Sequence, residues 1–67
     1  MKWEAEYKHP KGMRFEIELD ELAGYYLYAY DKTGFNFFDD LQDTLEWTQK
    51  AALREFGVPL DAWHRVE

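Results

Sequence analysis

The sequence predicts an α+β fold, in which an antiparallel sheet of three to four strands carries a single helix on one face. Two patterns support this prediction. Apolar and polar residues alternate with a period of two through the first half of the chain, which is typical of half-buried strands. Residues 43–56 follow a helical period instead, with start and stop signals at their ends. A chain of 67 residues makes one domain, 1–67, without room for a second.

The first two predicted strands form a hairpin. Their inward positions are apolar and alternate with mostly charged residues: Trp3, Ala5, Tyr7, Phe15, Ile17 and Leu19. Pro10 and Gly12 lie between the two runs, where Pro fixes one backbone dihedral and Gly permits a positive φ. This turn chemistry predicts that the two strands pair antiparallel.

Charged residues occupy the outward positions of this hairpin. If the chain turns at residues 9–13, every outward pair is like-charged: Glu4 with Glu18, Glu6 with Glu16, and Lys8 with Arg14. Directly opposed like charges destabilise a strand pair, so stability alone does not select this pattern. A shift of two residues introduces one attractive pair, Lys8 with Glu16 or Glu6 with Arg14. The acidic cluster remains in either register, and an acidic patch is therefore predicted.

Two further strands continue the sheet as a meander. A break at residues 21–24 leads to residues 25–30, which are rich in tyrosine and therefore favour a strand. Residues 31–34 then supply a turn toward residues 35–38.

The tyrosine-rich strand has two alternating faces that the sequence distinguishes only by chemistry. We place Leu27 and Ala29 under the helix, because a tyrosine can keep its hydroxyl in water on an open face. Tyr26, Tyr28 and Tyr30 are then expected beside the glutamates. A surface of aromatic rings with acidic neighbours suits a basic, partly apolar partner.

The helix has recognisable ends. Asp43 is predicted to cap its N-terminus, and Glu46 extends this to an arrangement like a capping box. Gly57 lies where a left-handed residue ends a helix, and Pro59 prevents its continuation. After this stop, residues 63–66 are predicted to form a short closing strand or an extended tail packed on the domain, with Trp63 over the core.

Trp47 lies on the outer side of this helix. On a helical wheel it falls about 200° from Leu45, whereas Thr48, Gln49, Ala52, Leu53 and Phe56 fall within about 80° of that residue. One interpretation is an ordinary exposed residue that packs on a neighbouring Lys or Arg side chain. The other is an anchor for a second chain, since tryptophan is common at the energetic centres of interfaces.

The run from Tyr28 to Trp63 resembles a group of known proteins. The shared features are a Tyr-Asp turn, the helix start Asp43-Thr44-Leu45-Glu46, the helix stop Glu55-Phe56-Gly57-Val58 and a following Trp. They are similar to small bacterial β-rich proteins with one helix, some of which are described as immunity proteins of toxin systems. The resemblance covers about half the chain and concerns caps and packing residues, so it implies a fold and transfers no functional residue.

Composition narrows the function classes. A formal net charge of -6 opposes the phosphates of nucleic acid, so a nucleic-acid partner is not expected. The chain has no long apolar run or export signal, so we expect no membrane association. With no cysteine as well, a cytoplasmic location is predicted. The 3 Trp, 5 Tyr and 5 Phe exceed what so small a domain can bury, which favours a binding role.

No recognised catalytic, cofactor or metal motif is present. His9 and His64 have no nucleophile or metal ligand at a recognised spacing. The cluster Asp39, Asp40 and Asp43 lacks the order, the glycine and the final glutamate of a calcium loop. We therefore predict no cofactor, no metal and no enzymatic activity.

The sequence thus favours a non-enzymatic protein-binding module, of which an immunity or antitoxin-like protein is one form. Its partner is expected to be a protein of basic character. The candidate interface residues are Glu4, Glu6, Glu16, Glu18, Tyr26, Tyr28, Tyr30 and Trp47. One alternative is a structural homodimer joined by the open sheet face or by the Trp47 side of the helix. A second is a small enzyme or ligand-binding protein.

Overall fold

The computed structural model describes all 67 residues. Its elements follow in the order β1 (Lys2–Ala5), β2 (Arg14–Asp20), β3 (Gly24–Tyr30), β4 (Asn36–Gln42), α1 (Leu45–Phe56), a 3-10 helix (Leu60–Ala62) and β5 (Trp63–Arg65). The predicted α+β class is confirmed, with one α-helix packed against an antiparallel sheet. The sheet has five strands rather than three to four, because the fourth strand and the closing strand both form.

The strands lie in the order β4-β3-β2-β1-β5, and all neighbours are antiparallel. The first four strands form the expected meander. The chain then crosses by way of α1 and returns as β5 on the free side of β1, with Trp63 opposite Ala5 and Arg65 opposite Trp3. The two edges of the sheet are therefore β4 and β5.

The register of β1 and β2 is shifted by two residues from the one in which Glu4 faces Glu18. Lys2 lies opposite Glu18, and Glu4 lies opposite Glu16. The expectation that every outward pair is like-charged is therefore wrong, since the first of these pairs is attractive. The strand β1 ends at Ala5, and the N–H of Glu6 donates to the carbonyl of Ala62, at 2.8 Å, which extends the pairing of β1 with β5 by one residue.

Gly24 allows β3 to start close against β4. Its φ is +129°, and a Cβ at this position would lie 2.7 Å from the carbonyl oxygen of Gln42. A side chain here would push against the backbone of β4, and residue 24 itself would be strained at this positive φ. The preceding turn is closed by Asp20, whose carboxylate accepts from the N–H groups of Leu22 and Ala23 at 2.9 and 3.1 Å.

Thr44, and not Asp43, caps the helix. The Thr44 hydroxyl accepts from the N–H of Trp47 at 3.1 Å, and the helix begins at Leu45, two residues later than predicted. Serine, threonine and aspartate all make good caps, so sequence chemistry does not choose between adjacent candidates. Glu46 lies in the first turn, where its negative charge interacts favourably with the positive end of the helix dipole. With Thr44 as the cap, Glu46 is only two residues from it, and a capping box needs three.

The predicted helix stop is confirmed at Gly57. This residue is left-handed, with φ 74°, and its N–H donates to the carbonyl of Leu53 at 2.9 Å. The N–H of Val58 reaches the carbonyl of Ala52 at 3.3 Å, and the Val58 side chain turns into the core.

The core lies between the sheet and the helix. Its buried apolar residues are Phe15, Ile17, Leu27, Ala29, Ala51, Ala52 and Val58. Leu27 and Ala29 thus face the helix, as predicted from the chemistry of tyrosine. Thr48 is also fully buried, and its hydroxyl is satisfied by donating to the carbonyl of Thr44 at 2.7 Å.

The helix is rotated relative to the wheel centred on Leu45. Its buried positions are Thr48, Ala51 and Ala52, whereas Leu53, which was predicted to face inward, is 43% exposed. The buried face is centred about 60° from Leu45, toward Ala51. Small side chains on this face let the helix approach the sheet closely, which apolar size alone does not indicate.

Trp63 packs against the core at the start of β5, in agreement with its predicted position. Its indole Nε1 is buried and has no hydrogen-bond partner. A buried N–H without a partner carries a desolvation penalty, so the apolar part of the ring must supply the stabilising contact. Elsewhere in the chain, no helix has the length and apolar character required to cross a membrane.

Candidate functional site

The sheet face opposite the helix carries a row of tyrosines. Because side chains of alternate residues share one face of a strand, Tyr26, Tyr28 and Tyr30 all project from β3 away from the buried Leu27 and Ala29. All three are half-buried. The rings of Tyr26 and Tyr28 stack, with centroids 5.8 Å apart and planes inclined by 13°. We call this side of β1 to β4 the open face.

Glu16 is the centre of the polar contacts on the open face. Its carboxylate lies 3.4 Å from Nζ of Lys2 and 3.7 Å from a terminal nitrogen of Arg14. It also accepts from the Tyr30 hydroxyl at 3.3 Å. The Glu16 side chain is only 12% exposed. Glu16 was predicted to be an interface acid, but its charge is already balanced within the chain.

Glu18 is the freest of the predicted acids on the open face. It is exposed, forms no ion pair, and lies between Lys2 of β1 and Tyr26 of β3 in the register. Glu4 is half-buried, between Glu16 on one side and His64 on the other. Glu6 is exposed and lies just beyond the end of β1.

Two further residues of the open face come from β4 and were not among the predicted interface residues. Leu41 lies opposite Tyr26, and Asp39 lies opposite Tyr28. Leu41 is 44% exposed, and Asp39 is also exposed. The fourth strand was predicted to stop at residue 38, and apolar and polar residues do not alternate in the sequence beyond it.

Tyr28 and Tyr30 of the tyrosine row have a raised pKa. Burial raises the pKa of Tyr28 above its ordinary 10.0, and the charge of Glu18 raises it further. Burial and then the Glu16 carboxylate raise the pKa of Tyr30 in the same way. Among the three hydroxyls, only that of Tyr30 is hydrogen-bonded within the chain. Tyr26 and Tyr28 can therefore offer O–H groups to a partner.

Two basic side chains on either side of Glu16 limit the acidity of the open face. The guanidinium of Arg14 lies 5.1 Å from the centroid of the Tyr30 ring, within the range of a cation–π contact. The ammonium of Lys2 has a raised pKa, chiefly because of its hydrogen bond and charge attraction to Glu16. The open face is thus mixed near Glu16 and acidic near Glu18 and Asp39.

Trp47 lies on the helix, on the other side of the sheet from the tyrosine row. It is 55% exposed, so the predicted position outside the core is confirmed. Nζ of Lys50 lies 5.1 Å from the ring centroid and is also paired with Glu46 at 3.2 Å. The structure therefore does not bring Trp47 together with the other candidate interface residues.

The remaining polar groups have local roles. His9 accepts from the N–H of Lys11 through Nδ1, at 3.0 Å, and its ring packs on Phe15. Asp40 accepts from the side-chain amide of Gln42 at 2.8 Å. No group of three or more His, Asp or Glu residues is arranged to hold a metal ion, and the surface has no pocket.

Comparison of the chain with protein-family models, with curated proteins and with solved structures found no match.

Proposed function

We propose that this chain is a non-enzymatic protein-binding module and that its partner, a basic and partly apolar protein, docks on the open face. The observation that carries the proposal is the row Tyr26, Tyr28 and Tyr30, which lies uncovered beside the unpaired carboxylates of Glu18 and Asp39. Tyrosines combine a large apolar area with a hydrogen-bonding group, and they are enriched in protein interfaces.

The state of the tyrosines favours binding over simple solvent exposure. Tyr26 and Tyr28 stack on each other within the chain, which reduces the side-chain entropy that docking would cost. Leu41 adds apolar area next to Tyr26. The carboxylates around this patch would attract a basic partner and orient its approach.

An immunity or antitoxin-like role is the form of this proposal that agrees with the resemblance in the run from Tyr28 to Trp63. In that role the module would cover a basic surface of another protein. A cytoplasmic location remains a prediction from composition alone. Charge reversal on the open face tests protein binding without assuming an immunity-like role or a cytoplasmic location.

The proposal is tested by charge reversal on the open face. Partners captured from native cells by the wild-type chain are compared with those captured by Glu4→Lys/Glu18→Lys. The matched control is Glu21→Lys/Asp61→Lys, which makes the same change of charge at exposed residues in a turn and in the 3-10 helix. We expect the open-face variant, and not the control, to lose the partner. An identical set of partners for both variants would refute the open face as the binding site.

A structural homodimer is the second candidate, because the exposed Trp47 and the open face both offer apolar surface. A monomer by light scattering at high micromolar concentration would exclude it. A dimer that Trp47→Ala dissociates would locate its interface on the helix, whereas one that Tyr28→Ser dissociates would locate it on the open face.

A further inference from the structure

The strand β4 is an edge of the sheet with one side free of any strand. It is seven residues long, whereas the opposite edge, β5, has only three. An edge strand presents alternate N–H and C=O groups that no neighbour satisfies, and these can pair with an added strand. The register between β3 and β4 shifts at Ala29 and Tyr30, and there the side chain of Asn36 donates to the carbonyls of Ala29 and Phe38, at 3.0 Å each.

The side chains of β4 indicate what an added strand would meet. Asp39 and Asp40 are consecutive and therefore point to opposite faces of the sheet. Neither takes part in an ion pair, although Asp40 accepts from the Gln42 amide. Phe37 and Leu41, on either side of them, are 40% and 44% exposed. A strand lying along β4 would thus have a carboxylate on each face and an apolar contact toward each end.

We infer that β4 accepts an added strand from the partner, and that this strand is basic, with Lys or Arg near its centre and apolar residues around them. The inference rests on the proposed function, because it specifies how the same partner binds. Backbone pairing would hold the strand in place, and the two carboxylates would select its charge. Because Asp39 and Leu41 belong to the open face, the added strand would continue that surface outward.

A second copy of this chain fits the edge less well. If two β4 strands paired antiparallel about their centres, Asp39 would oppose Asp39 or Asp40 of the other copy, and opposed like charges destabilise a strand pair. The net charge of -6 on each copy adds to this repulsion. The basic edge β5 is too short to pair along β4, and Nε of its Arg65 already donates to the carbonyl of Glu67 at 2.8 Å.

The inference is tested with a synthetic peptide as long as β4 and blocked at both ends, which has two consecutive lysines at its centre, one for each face, and valines around them. Binding to the isotope-labelled full chain is followed by amide chemical shifts and by amide hydrogen exchange. We expect shifts along β4 and slower exchange of its outward amides. A peptide with glutamate in place of lysine should not bind. The lysine peptide with alternate backbone amides methylated should also fail, because it cannot complete the hydrogen-bond ladder.

Variants of the chain test the role of the two carboxylates. Asp39→Asn/Asp40→Asn should weaken binding of the lysine peptide by about 3- to 10-fold, in line with the modest energies of cross-strand charge pairs. Glu21→Gln/Asp61→Asn is the matched control, which makes the same change of charge away from the edge and should leave the affinity unchanged. Equal weakening by the two variants would show that only net charge matters, and this would overturn the inference.

The two proposals can fail separately. Shifts centred on Tyr26 and Tyr28, or unaltered binding of the methylated peptide, would overturn strand addition and leave the open face as a docking site. An absence of binding by the lysine peptide would also overturn strand addition. Conversely, a native partner that is lost on Asp40→Asn, on the opposite face of β4 from Asp39, and kept by Glu4→Lys/Glu18→Lys would support the edge and refute the open face.

Discussion

The Tyr30 hydroxyl on β3 donates to Oε1 of Glu16 on β2, at 3.3 Å, although the residue directly opposite Tyr30 is Arg14. The bond therefore runs diagonally across the two strands. It joins the tyrosine row to the one carboxylate that is also paired with Lys2 and Arg14. This contact makes Glu16 part of a polar cluster that is balanced within the chain, and it leaves Glu18 and Asp39, which form no ion pair, available to a partner.

Tyr30 is expected to ionise at higher pH than an ordinary tyrosine. Burial, the charge of Glu16 and the hydrogen bond to it raise the pKa of Tyr30 above 10.0. The stability linked to this raised pKa is complete below pH 10.0 and is lost as the pH rises through the pKa of the folded state. The tyrosinate absorbance that Tyr30→Phe removes should therefore develop at a pH above 10.0. Glu16→Gln should lower the pKa of Tyr30 toward 10.0. A Tyr30 titration at or below 10.0 would contradict the contact.

Neutralising Glu16 should destabilise the chain more than neutralising Glu18. Glu16→Gln leaves the nearly buried group without its charge attraction to Lys2 and Arg14, and we expect a loss of about 1 kcal/mol in the free energy of unfolding. Glu18→Gln makes the same change of charge at an exposed, unpaired residue and should alter it by no more than about 0.3 kcal/mol. Urea unfolding of both variants measures the difference. Equal losses would mean that the Glu16 cluster contributes nothing specific.

Two adjacent residues at the start of the helix are expected to differ in their contribution to the free energy of unfolding. Thr44→Ala removes the hydroxyl that accepts from the N–H of Trp47, and the free energy of unfolding should fall by about 1 kcal/mol. Asp43→Ala should change it by less than about 0.5 kcal/mol, because Asp43 accepts no hydrogen bond at the helix start. Thermal unfolding followed by circular dichroism compares the two variants. A larger loss of stability for Asp43→Ala than for Thr44→Ala would show that Asp43 is the cap, as the sequence predicted.

The local elements of the fold could be predicted from sequence because each depends on neighbours along the chain. The alternation of Phe15 and Ile17 predicted a strand with one buried face, and Gly57 predicted the helix stop. The register of β1 and β2 could not be predicted in the same way. The turn at residues 9–13 permits more than one register, and the register that forms belongs to a sheet in which β1 also pairs with β5, which is distant in sequence.

The residues of the candidate site differ in the same way: local pattern predicted some of them, and long-range pairing determined the others. The tyrosine row was predictable, because alternation within one strand places Tyr26 and Tyr28 together once Leu27 is buried. The pairing of Glu16 was not, because it joins side chains of three strands whose register was open. The contribution of β4 was missed because Asp39 and Asp40 interrupt its apolar pattern, which made the strand seem to end early.

Trp47 is expected to behave as an exposed indole held by a neighbouring cation. In a Trp3→Phe/Trp63→Phe background its emission should be red-shifted and readily quenched by acrylamide, since the residue is 55% exposed. Lys50→Ala should increase the quenching, because Nζ of Lys50 lies 5.1 Å from the ring centroid and covers part of it.

Substitution of Trp47 separates an anchor from an ordinary surface residue. Trp47→Ala should change the free energy of unfolding by no more than about 0.5 kcal/mol, because the ring covers little of the core. Leu27→Ala, at a fully buried position, should lower it by about 2 to 5 kcal/mol in the same measurement. A protected, blue-shifted Trp47 that becomes exposed on dilution would contradict this expectation. It would show that a second copy covers the ring, which is 55% exposed in the single chain.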